Sequence, residues 1–179
     1  DPDIIMIGEI RDVDTAQIAV QAALTGHLVL STLHTNDSAG AVNRLMDMGV
    51  ESYKVAAALV GVVAQRLVRT VCPHCSPFTY PSTELLEMIH FQGDRRRSFI
   101  RGAGCPQCHD TGFRGRTGIY EVMTIDRQLR EMIARGATID QVRDAYQMSG
   151  GETLLEQGIR LAEQEKTSLE EVIRVAYFE

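Results

Sequence analysis

The four cysteines of the chain fall into two CPxC pairs, Cys72-Pro-His-Cys75 and Cys105-Pro-Gln-Cys108, with 29 residues between the pairs. Two residues between thiolates let one tight turn aim both sulfurs at one ion, and two such turns complete the four-thiolate shell typical of structural zinc. Disulfides and free buried thiols are the alternatives, but an accidental pairing of all four cysteines is rare. The spacing therefore predicts a zinc site.

The gap between the two pairs exceeds the roughly 15 to 20 residues usual in such sites, so we expect the intervening loop to carry structure of its own. His74 and His109 lie next to cysteines and could each replace one as a ligand. Because four thiolates already fill a tetrahedral shell, we interpret both histidines as bystanders.

A second set of polar side chains follows two apolar strands. The segment IIMI is followed by Gly8 and Glu9, and the segment LVLSTL is followed by His34 and Thr35. Ligands of open α/β sheets bind outside the carboxyl ends of the strands, so Glu9, His34 and Thr35 should share one rim. An apolar strand that ends in an acid is typical of nucleotide hydrolases, where the acid holds water or magnesium beside a terminal phosphate.

Simpler interpretations of these residues stay open. Glu9 could cap the helix that follows it or pair with Arg11, and His34 could be an ordinary histidine at a strand end. His27 precedes His34 by seven residues, an odd spacing that puts the two on opposite faces of a straight strand. We therefore place His27 just before the strand, beside a helix-ending glycine, and not in a ligand pair with His34.

The elements that position these residues follow a βα pattern over residues 1–71, which favours a parallel sheet. IIMIG reads as a strand buried on both faces, and HLVLSTL as the second strand. Between them, Asp14 and Gln17 resemble a capping box, and Ile18, Ala22 and Ala23 mark the apolar side of a helix that ends at Gly26. A further helix is expected from Asp37 or Ser38 to Met48, and a long one over about 52–70.

The rest of the chain divides into a cysteine segment, 72–110, and a C-terminal part, 111–179. A Gly/Arg-rich linker, GFRGRTG, precedes a strand GIYEVM that begins at Gly118. Four short helices follow, with start signals at Asp126, Thr138, Glu152 and Ser168. The predicted fold class is α/β, with a metal-binding insertion and a helical C-terminal subdomain.

Composition excludes several functional classes. The 179 residues are 44% hydrophobic and carry a net charge of −6, which argues against nucleic-acid binding. The longest apolar segment, at 55–64, is about half of what crosses a bilayer, so we expect no membrane span, and no signal peptide is recognisable. Arg95–Arg97 could dock a partner, but a solvated charge run is the simpler interpretation, and the same holds for Arg66 and Arg69 on one helical face.

The motifs IIMIGEIRD and TGHLVLSTLHTND, followed by QRLVRTVCPHC and CPQC, closely resemble the secretion ATPases of type II secretion and type IV pilus assembly. IIMIGE is similar to the Walker B segment of that family, TGHLVLSTLHT to its histidine box and the CPxC turns to its tetracysteine zinc subdomain. The resemblance implies the second half of a RecA-like domain. It implies that Glu9 lies near magnesium and its water, that His34 contacts or senses the γ-phosphate, and that His27 packs or relays within the histidine box, with Gly8 and Thr35 beside the nucleotide.

The sequence also departs from the family pattern. No GxxxxGK[ST] motif occurs, so we expect the phosphate-binding loop upstream and no ATP binding by this part alone. Gly8 stands where a Walker B segment usually has an aspartate. The family fold places the phosphate-loop strand between the two strands seen here, which predicts a sheet without its central strand.

The resemblance implies a cytoplasmic hexameric motor that hydrolyses ATP with Mg²⁺, contains Zn²⁺ and reaches the inner membrane through platform proteins of the secretion system. HTNDSAGAVNRLMDMGV favours the secretion branch. A type IV pilus extension ATPase is the alternative, and a non-catalytic zinc ribbon is an alternative from another class. A bare ribbon would have no use for strands that end in Glu9 and His34.

Overall fold

The computed structural model of the protein describes residues 2–177, and helices and strands alternate through the first part of the chain. The α/β fold class is therefore confirmed. In chain order the elements are β1 (Ile4–Ile7), α1 (Val13–Leu24), β2 (Leu28–Ser31), α2 (Ser38–Asp47), α3 (Ser52–Ala58), β3 (Gly61–Val71), β4 (Phe78–Thr79), α4 (Thr83–Met88), β5 (Phe99–Ile100), a 3₁₀ turn (Pro106–Cys108), β6 (Phe113–Thr124), α5 (Arg127–Ala134), α6 (Ile139–Met148), α7 (Leu154–Glu163) and α8 (Leu169–Ala176).

The described residues group into two compact units. Unit 1 comprises residues 2–64 and 121–151, and unit 2 comprises residues 65–120 and 152–177. Strands β3 and β6 pair with each other and each contributes residues to both units. These units differ from the sequence-based division at 71 and 110, because α5 and α6 join the core of unit 1 whereas α7 and α8 pack together in unit 2.

The core of unit 1 forms where the apolar sides of five helices meet. Helix α3 packs on α1 and α5, and α2 packs on α6. Val42, Val55 and Ile133 are almost completely buried there. Small side chains such as Ala16 and Ala19 on α1 are buried there and let the neighbouring elements approach closely, as close packing in protein interiors requires.

Strands β1 and β2 are parallel and hydrogen-bonded to each other, with Ile4 opposite Leu28 and Ile7 opposite Ser31. The expectation that another strand separates them is therefore wrong for this structure. The expectation of burial on both faces is also wrong, because Met6 is 80% exposed. The side chains alternate with period 2, so Ile7 packs on the core of unit 1 while Met6 lies on the uncovered face.

Helix α1 begins earlier than the sequence pattern predicts. Asp12 is its N-cap and accepts a hydrogen bond from the amide of Thr15 at 2.8 Å, whereas Asp14 lies inside the first turn. Ile18, which was expected on the apolar side, is 67% exposed, and the buried side of the helix carries Ala16, Ala19 and Val20 instead. Helix α2, by contrast, begins after Asp37 and ends at the cap residue Met48, as predicted.

The long helix expected over 52–70 is wrong. Helix α3 ends at Ala58, Leu59 is extended, and β3 runs from Gly61 to Val71. Exposed Val63 and Leu67 alternate with more buried neighbours, which is the period of a strand, and valines favour such a surface. The segment GFRGRTG is likewise no linker, because it forms the first half of β6, the partner of β3.

Three of the four predicted helix starts are confirmed, since Asp126, Thr138 and Ser168 each accept a hydrogen bond from an amide of the first turn. The third helix begins one residue later than expected, because Thr153 and not Glu152 is the N-cap and forms a capping box with Glu156. Within residues 2–177, no helix combines the length and the apolar composition needed to cross a membrane.

Glu171, on α8, is the centre of a charged network inside unit 2. Its buried carboxylate accepts hydrogen bonds from the backbone amide of Arg69 at 2.9 Å, from the Arg69 guanidinium at 2.7 Å and from Arg174 at 2.7 and 2.6 Å. The Arg69 guanidinium also lies 4.0 Å from the ring centroid of Phe113. The expectation that Arg69 is a solvated residue on a helix is therefore wrong: it is a strand residue that binds a buried acid.

This network makes unit 2 sensitive to acid. Burial by itself would raise the pKa of Glu171, but the hydrogen bonds from Arg174 and Arg69 outweigh burial and lower the pKa to about 2. A carboxyl whose pKa is lower in the folded state stabilises the fold above its ordinary pKa, near 4.5, and loses that contribution as the pH falls toward 2.

We predict that Glu171→Gln lowers the free energy of unfolding of unit 2 by about 1–3 kcal/mol at pH 7, because it removes the charge that two arginines share. The difference between the variant and the wild type shrinks as the pH falls from about 5 to 2. Hydrogen exchange of α8 against pH measures both effects, with the exposed Glu165→Gln as control. A difference that stays constant over this range would contradict the prediction.

Candidate functional site

The carboxyl ends of β1 and β2 form one rim, which hydrogen bonds continue beyond the strands. The amide of Ile10 donates to the carbonyl of Thr32 at 2.9 Å, and the hydroxyl of Thr32 donates to the carbonyl of Gly8 at 2.7 Å. Gly8 and Glu9 are therefore held next to the chain that leads to His34. One backbone and one side-chain hydrogen bond, together with the burial of Ile10 in the core, fix this part of the rim.

Glu9 and His34 come together on this rim. Nε2 of His34 lies 3.3 Å from Oε2 of Glu9, and Nε of Arg11 lies 2.5 Å from the same oxygen. The hydrogen bond from Arg11, and to a smaller extent His34, lowers the pKa of Glu9, so this carboxyl is ionised at neutral pH. Glu9 does pair with Arg11, as one alternative had it, but it does not cap α1, because Asp12 does.

The other residues predicted for the site lie at different places. The hydroxyl of Thr35 donates to the carbonyl of Asp37 at 3.1 Å, one turn before α2. His27 lies at the opposite end of β2, where its Nδ1 is 3.1 Å from the carbonyl oxygen of Ala22 and 3.2 Å from Oγ1 of Thr25. The structure thus brings Glu9 and His34 together and places His27 at the turn between α1 and β2.

Two long-range contacts at the start of α2 escaped the sequence analysis. Both carboxylate oxygens of Asp37 are engaged, one by the amide of Gly40 and the other by the guanidinium of Arg143 on α6. The amide and hydroxyl of Ser38 donate to the buried carboxylate of Glu121 on β6. Because these partners are 106 and 83 residues away in sequence, a local sequence pattern could not predict these contacts.

The sulfurs of Cys72, Cys75, Cys105 and Cys108 all lie within 4.8 Å of one another. Three of the separations are 3.7, 3.7 and 4.0 Å. Four sulfurs bound tetrahedrally at about 2.3 Å from one ion are about 3.8 Å apart, so the arrangement fits a four-thiolate metal site. In the described part of the chain, neither His74 nor His109 belongs to this set.

Glycines allow the second CPxC turn to close. A Cβ at Gly102 would lie 2.0 Å from the carbonyl oxygen of Gly112, so the two backbones touch. This contact brings the amide of Gly112 to 3.2 Å from the sulfur of Cys108, and the amide of Cys105 donates to the same sulfur at 3.3 Å. Although burial opposes ionisation, these amides lower the pKa of Cys108 to about 6.

The neighbouring thiol behaves in the opposite way. Burial and the adjacent sulfurs raise the pKa of Cys75 to about 12, because a second negative charge beside the first is unfavourable. A divalent ion bound by all four thiolates would remove this repulsion. Metal binding is therefore expected to release protons and to strengthen as the pH rises.

Two residues of the run Arg95–Arg97 pair with acidic side chains of unit 2, the unit to which the run belongs. Arg95 lies 3.8 Å from Glu87, and Arg97 lies 3.7 Å from Glu163 and 5.8 Å from the ring centroid of Phe99. The loop between the cysteine pairs also contains β4, α4 and β5, so the expectation that it carries structure of its own is confirmed.

Comparison with known proteins gives consistent matches over nearly the whole chain. The family model for type II/IV secretion system proteins matches residues 1–174. The chain is 48% identical to the type II secretion system protein HxcR of Pseudomonas aeruginosa, 47% identical to the type IV pilus assembly ATPase PilB of Thermus thermophilus and 46% identical to the type II secretion system ATPase E of Vibrio cholerae. These matches cover 98%, 97% and 98% of this chain but only 34%, 20% and 35% of the relatives.

A solved structure supports the fold. The ATPase DotB of Legionella pneumophila is similar with a TM-score of 0.65 at 20% identity, over 96% of this chain and 38% of that one. At this identity the likeness concerns the fold alone.

We predict that Cys105→Ser reduces bound metal from about one ion per chain to far less, because three thiolates cannot close the shell. Binding of a structural metal contributes roughly 10–16 kcal/mol in small metal domains, so hydrogen exchange over 72–112 should accelerate while residues 2–64 change little. His74→Ala is the matched control and should keep its metal. A wild-type protein that is purified without metal and melts identically after chelation would contradict the prediction.

Proposed function

The chain belongs to the family of type II/IV secretion system proteins, and we propose that it forms the second half of a RecA-like ATPase domain in a motor that hydrolyses ATP to drive pseudopilus assembly and protein secretion. The motor is a cytoplasmic hexamer that reaches the inner membrane through platform proteins of the secretion system. The ATPase names of two relatives support the activity, and the likeness to DotB supports the fold.

One observation carries this proposal: an ionised carboxylate and an imidazole lie 3.3 Å apart at the carboxyl ends of two adjacent parallel strands. Nucleotides bind at this edge of α/β sheets, where loops and helix starts point toward the phosphates. Because the pKa of Glu9 is lowered, its carboxylate can accept a hydrogen bond from a water molecule or from the hydration shell of Mg²⁺ at neutral pH. His34 is exposed at the same edge and can donate to a phosphate oxygen.

The chemistry assigned to each residue follows from this placement. Glu9 orients water or hydrated Mg²⁺ beside the terminal phosphate, and Gly8 lets that phosphate approach the backbone because it has no side chain. His34 stabilises negative charge on the terminal phosphate as the bond between that phosphate and its leaving group breaks. Thr35 lies beside the nucleotide. His27 acts indirectly, through the turn at which β2 begins. When bound, Mg²⁺ neutralises charge on the phosphate oxygens.

We assign zinc to the four cysteines. All four donors would bind the ion as thiolates and leave no position open for a water, and the sulfur separations fit the tetrahedral shell that zinc prefers. The ion therefore has a structural role, and it ties together turns that are 33 residues apart. Magnesium would not choose this site because it prefers oxygen ligands.

Two pathways are compatible with the family: type II secretion and type IV pilus assembly. Relatives from type II secretion and from type IV pilus assembly have nearly the same identity, 48% and 47%. We favour secretion because the segment HTNDSAGAVNRLMDMGV resembles the secretion branch of the family more than the pilus branch. Pilus extension is the second candidate. A non-catalytic zinc ribbon fits poorly, because unit 1 contains a complete helical core that supports the Glu9–His34 rim.

We predict that Glu9→Gln in the full-length enzyme lowers kcat for ATP by about 10²-fold or more, because the amide keeps the shape of the side chain and removes its charge. ATP binding should persist, which equilibrium binding of a labelled nucleotide measures. Asp14→Asn is the matched control, since Asp14 is an exposed acid five residues away on α1. Wild-type turnover by Glu9→Gln would return Glu9 to a purely structural pair with Arg11.

We predict different effects for the two histidines of one motif. His34→Ala should lower kcat by about 10²-fold with little change in melting temperature, because the side chain is exposed and acts on the phosphate. His27→Ala should lower the free energy of unfolding by roughly 0.5–3 kcal/mol, with a smaller effect on turnover per folded enzyme. Equal losses of turnover with unchanged melting of both variants would show that both imidazoles face the nucleotide.

A further inference from the structure

The start of α2, at Asp37 and Ser38, is held by side chains that come from the last part of unit 1. Nε and Nη2 of Arg143, on α6, donate to Oδ2 of Asp37 at 3.0 and 2.7 Å. The other oxygen, Oδ1, accepts the amide of Gly40 at 2.8 Å and thereby caps α2. One carboxylate therefore fixes the start of α2 and attaches it to α6 at the same time.

The neighbouring residues are fixed as well. Ser38 is completely buried, and its amide donates to Glu121 at 2.9 Å. The hydroxyl of Thr35 donates to the carbonyl of Asp37, which closes the backbone between them into a turn. The chain that leaves β2 thus has little freedom between Thr35 and Ser38.

His34 lies immediately before this fixed segment, but its own side chain has little support. Its imidazole is 85% exposed, so the position of the ring depends on the course of its backbone more than on packing. Asp37 is three residues away, and its ion pair with Arg143 is only 20% exposed on the carboxylate side. Loss of that pair would release the segment close to the point where it carries His34.

We propose that Arg143 is a positioning residue for the reaction, which acts through Asp37 to hold His34 at the rim beside Glu9. The inference rests on the proposed function of that rim. Arg143 does not touch the rim itself: its guanidinium donates to Asp37 and to the exposed Asp140, and the hydrogen bond that it donates to Asp37 raises the pKa of Arg143. Small displacements of a catalytic group can cost up to about 10²-fold in rate.

If Arg143 had a purely structural role, its replacement would affect melting temperature and turnover differently. In that case its loss would lower the melting temperature but leave turnover per folded enzyme unchanged. A positioning role lowers kcat, leaves KM for ATP nearly unchanged, and loses its effect once the imidazole that it positions is gone.

The test compares steady-state ATP hydrolysis by full-length variants whose folding is checked by thermal melting. Arg143→Met keeps the apolar stem, removes the guanidinium and should lower kcat by about tenfold. Arg143→Lys should recover part of the loss, because one ammonium can reach Asp37 but cannot donate in the fork geometry of arginine. Asp140→Asn removes the other partner of Arg143 and should have wild-type kcat.

The double variant decides the mechanism. In a His34→Ala background, Arg143→Met should lower kcat no further, because there is no imidazole left to position. Should Arg143→Met not fold, Asp37→Asn breaks the same ion pair while it keeps an oxygen acceptor for Gly40, and the same comparison applies.

Two results would overturn the inference and leave the proposed function intact: wild-type kcat in a folded Arg143→Met enzyme, or the same fold-loss with and without His34. Wild-type kcat in His34→Ala alone would instead refute the role that the proposed function gives to His34, and the positioning role with it.

Discussion

The parallel pairing of β1 with β2 is the constraint from which the arrangement of the rim follows. Its register sets Ile7 opposite Ser31, and the backbone bond from Ile10 to Thr32 extends that register past the strand ends. A slip of one residue would move one strand by about 3.3 Å and turn its side chains to the other face. Glu9 and His34 could not then meet, although both would still follow their strands in sequence.

The backbone of the rim is therefore held by hydrogen bonds, whereas the side chains of Glu9 and His34 remain accessible to solvent. Glu9 is held by Arg11, and His34 extends from a segment whose far end is tied to α6 and β6. A cation that approaches Glu9 meets a carboxylate that already binds a guanidinium. The positive charge of Arg11 therefore partly offsets the negative charge of Glu9 at this edge. Exposed groups on a fixed frame are compatible with the nucleotide site that we propose for this rim.

The two units reach stability by different means. Unit 1 has a continuous apolar core that five helices share, so helix packing accounts for its order. Unit 2 also buries apolar side chains, such as Phe99, Ile119 and Leu169, and it adds specific connections: a cluster of four sulfurs, a backbone contact between two glycines and a buried carboxylate that binds two arginines. Small structural units commonly need such connections, because a limited core cannot by itself outweigh the conformational entropy of the chain.

The sequence by itself determined the features that depend on residues close together along the chain. The helix caps at Asp37, Thr138 and Ser168 were predictable because a capping side chain bonds to an amide two or three residues later, and the two CPxC turns are equally local. The meeting of Glu9 with His34 was predictable because carboxyl ends of parallel strands share one edge.

Tertiary structure decided the rest. The apolar residues that follow Ala58 fit a helix as well as a strand, and pairing with β6 made them a strand. Arg69 was expected to be a solvated cation, and no sequence pattern singled out Arg143, but the fold brings Glu171 and Asp37 to them from 102 and 106 residues away in sequence. The local conformational preference of each residue can be inferred from a short segment of sequence. Which distant side chains meet depends on how the elements pack, and the packing energy depends on residues from many segments at once.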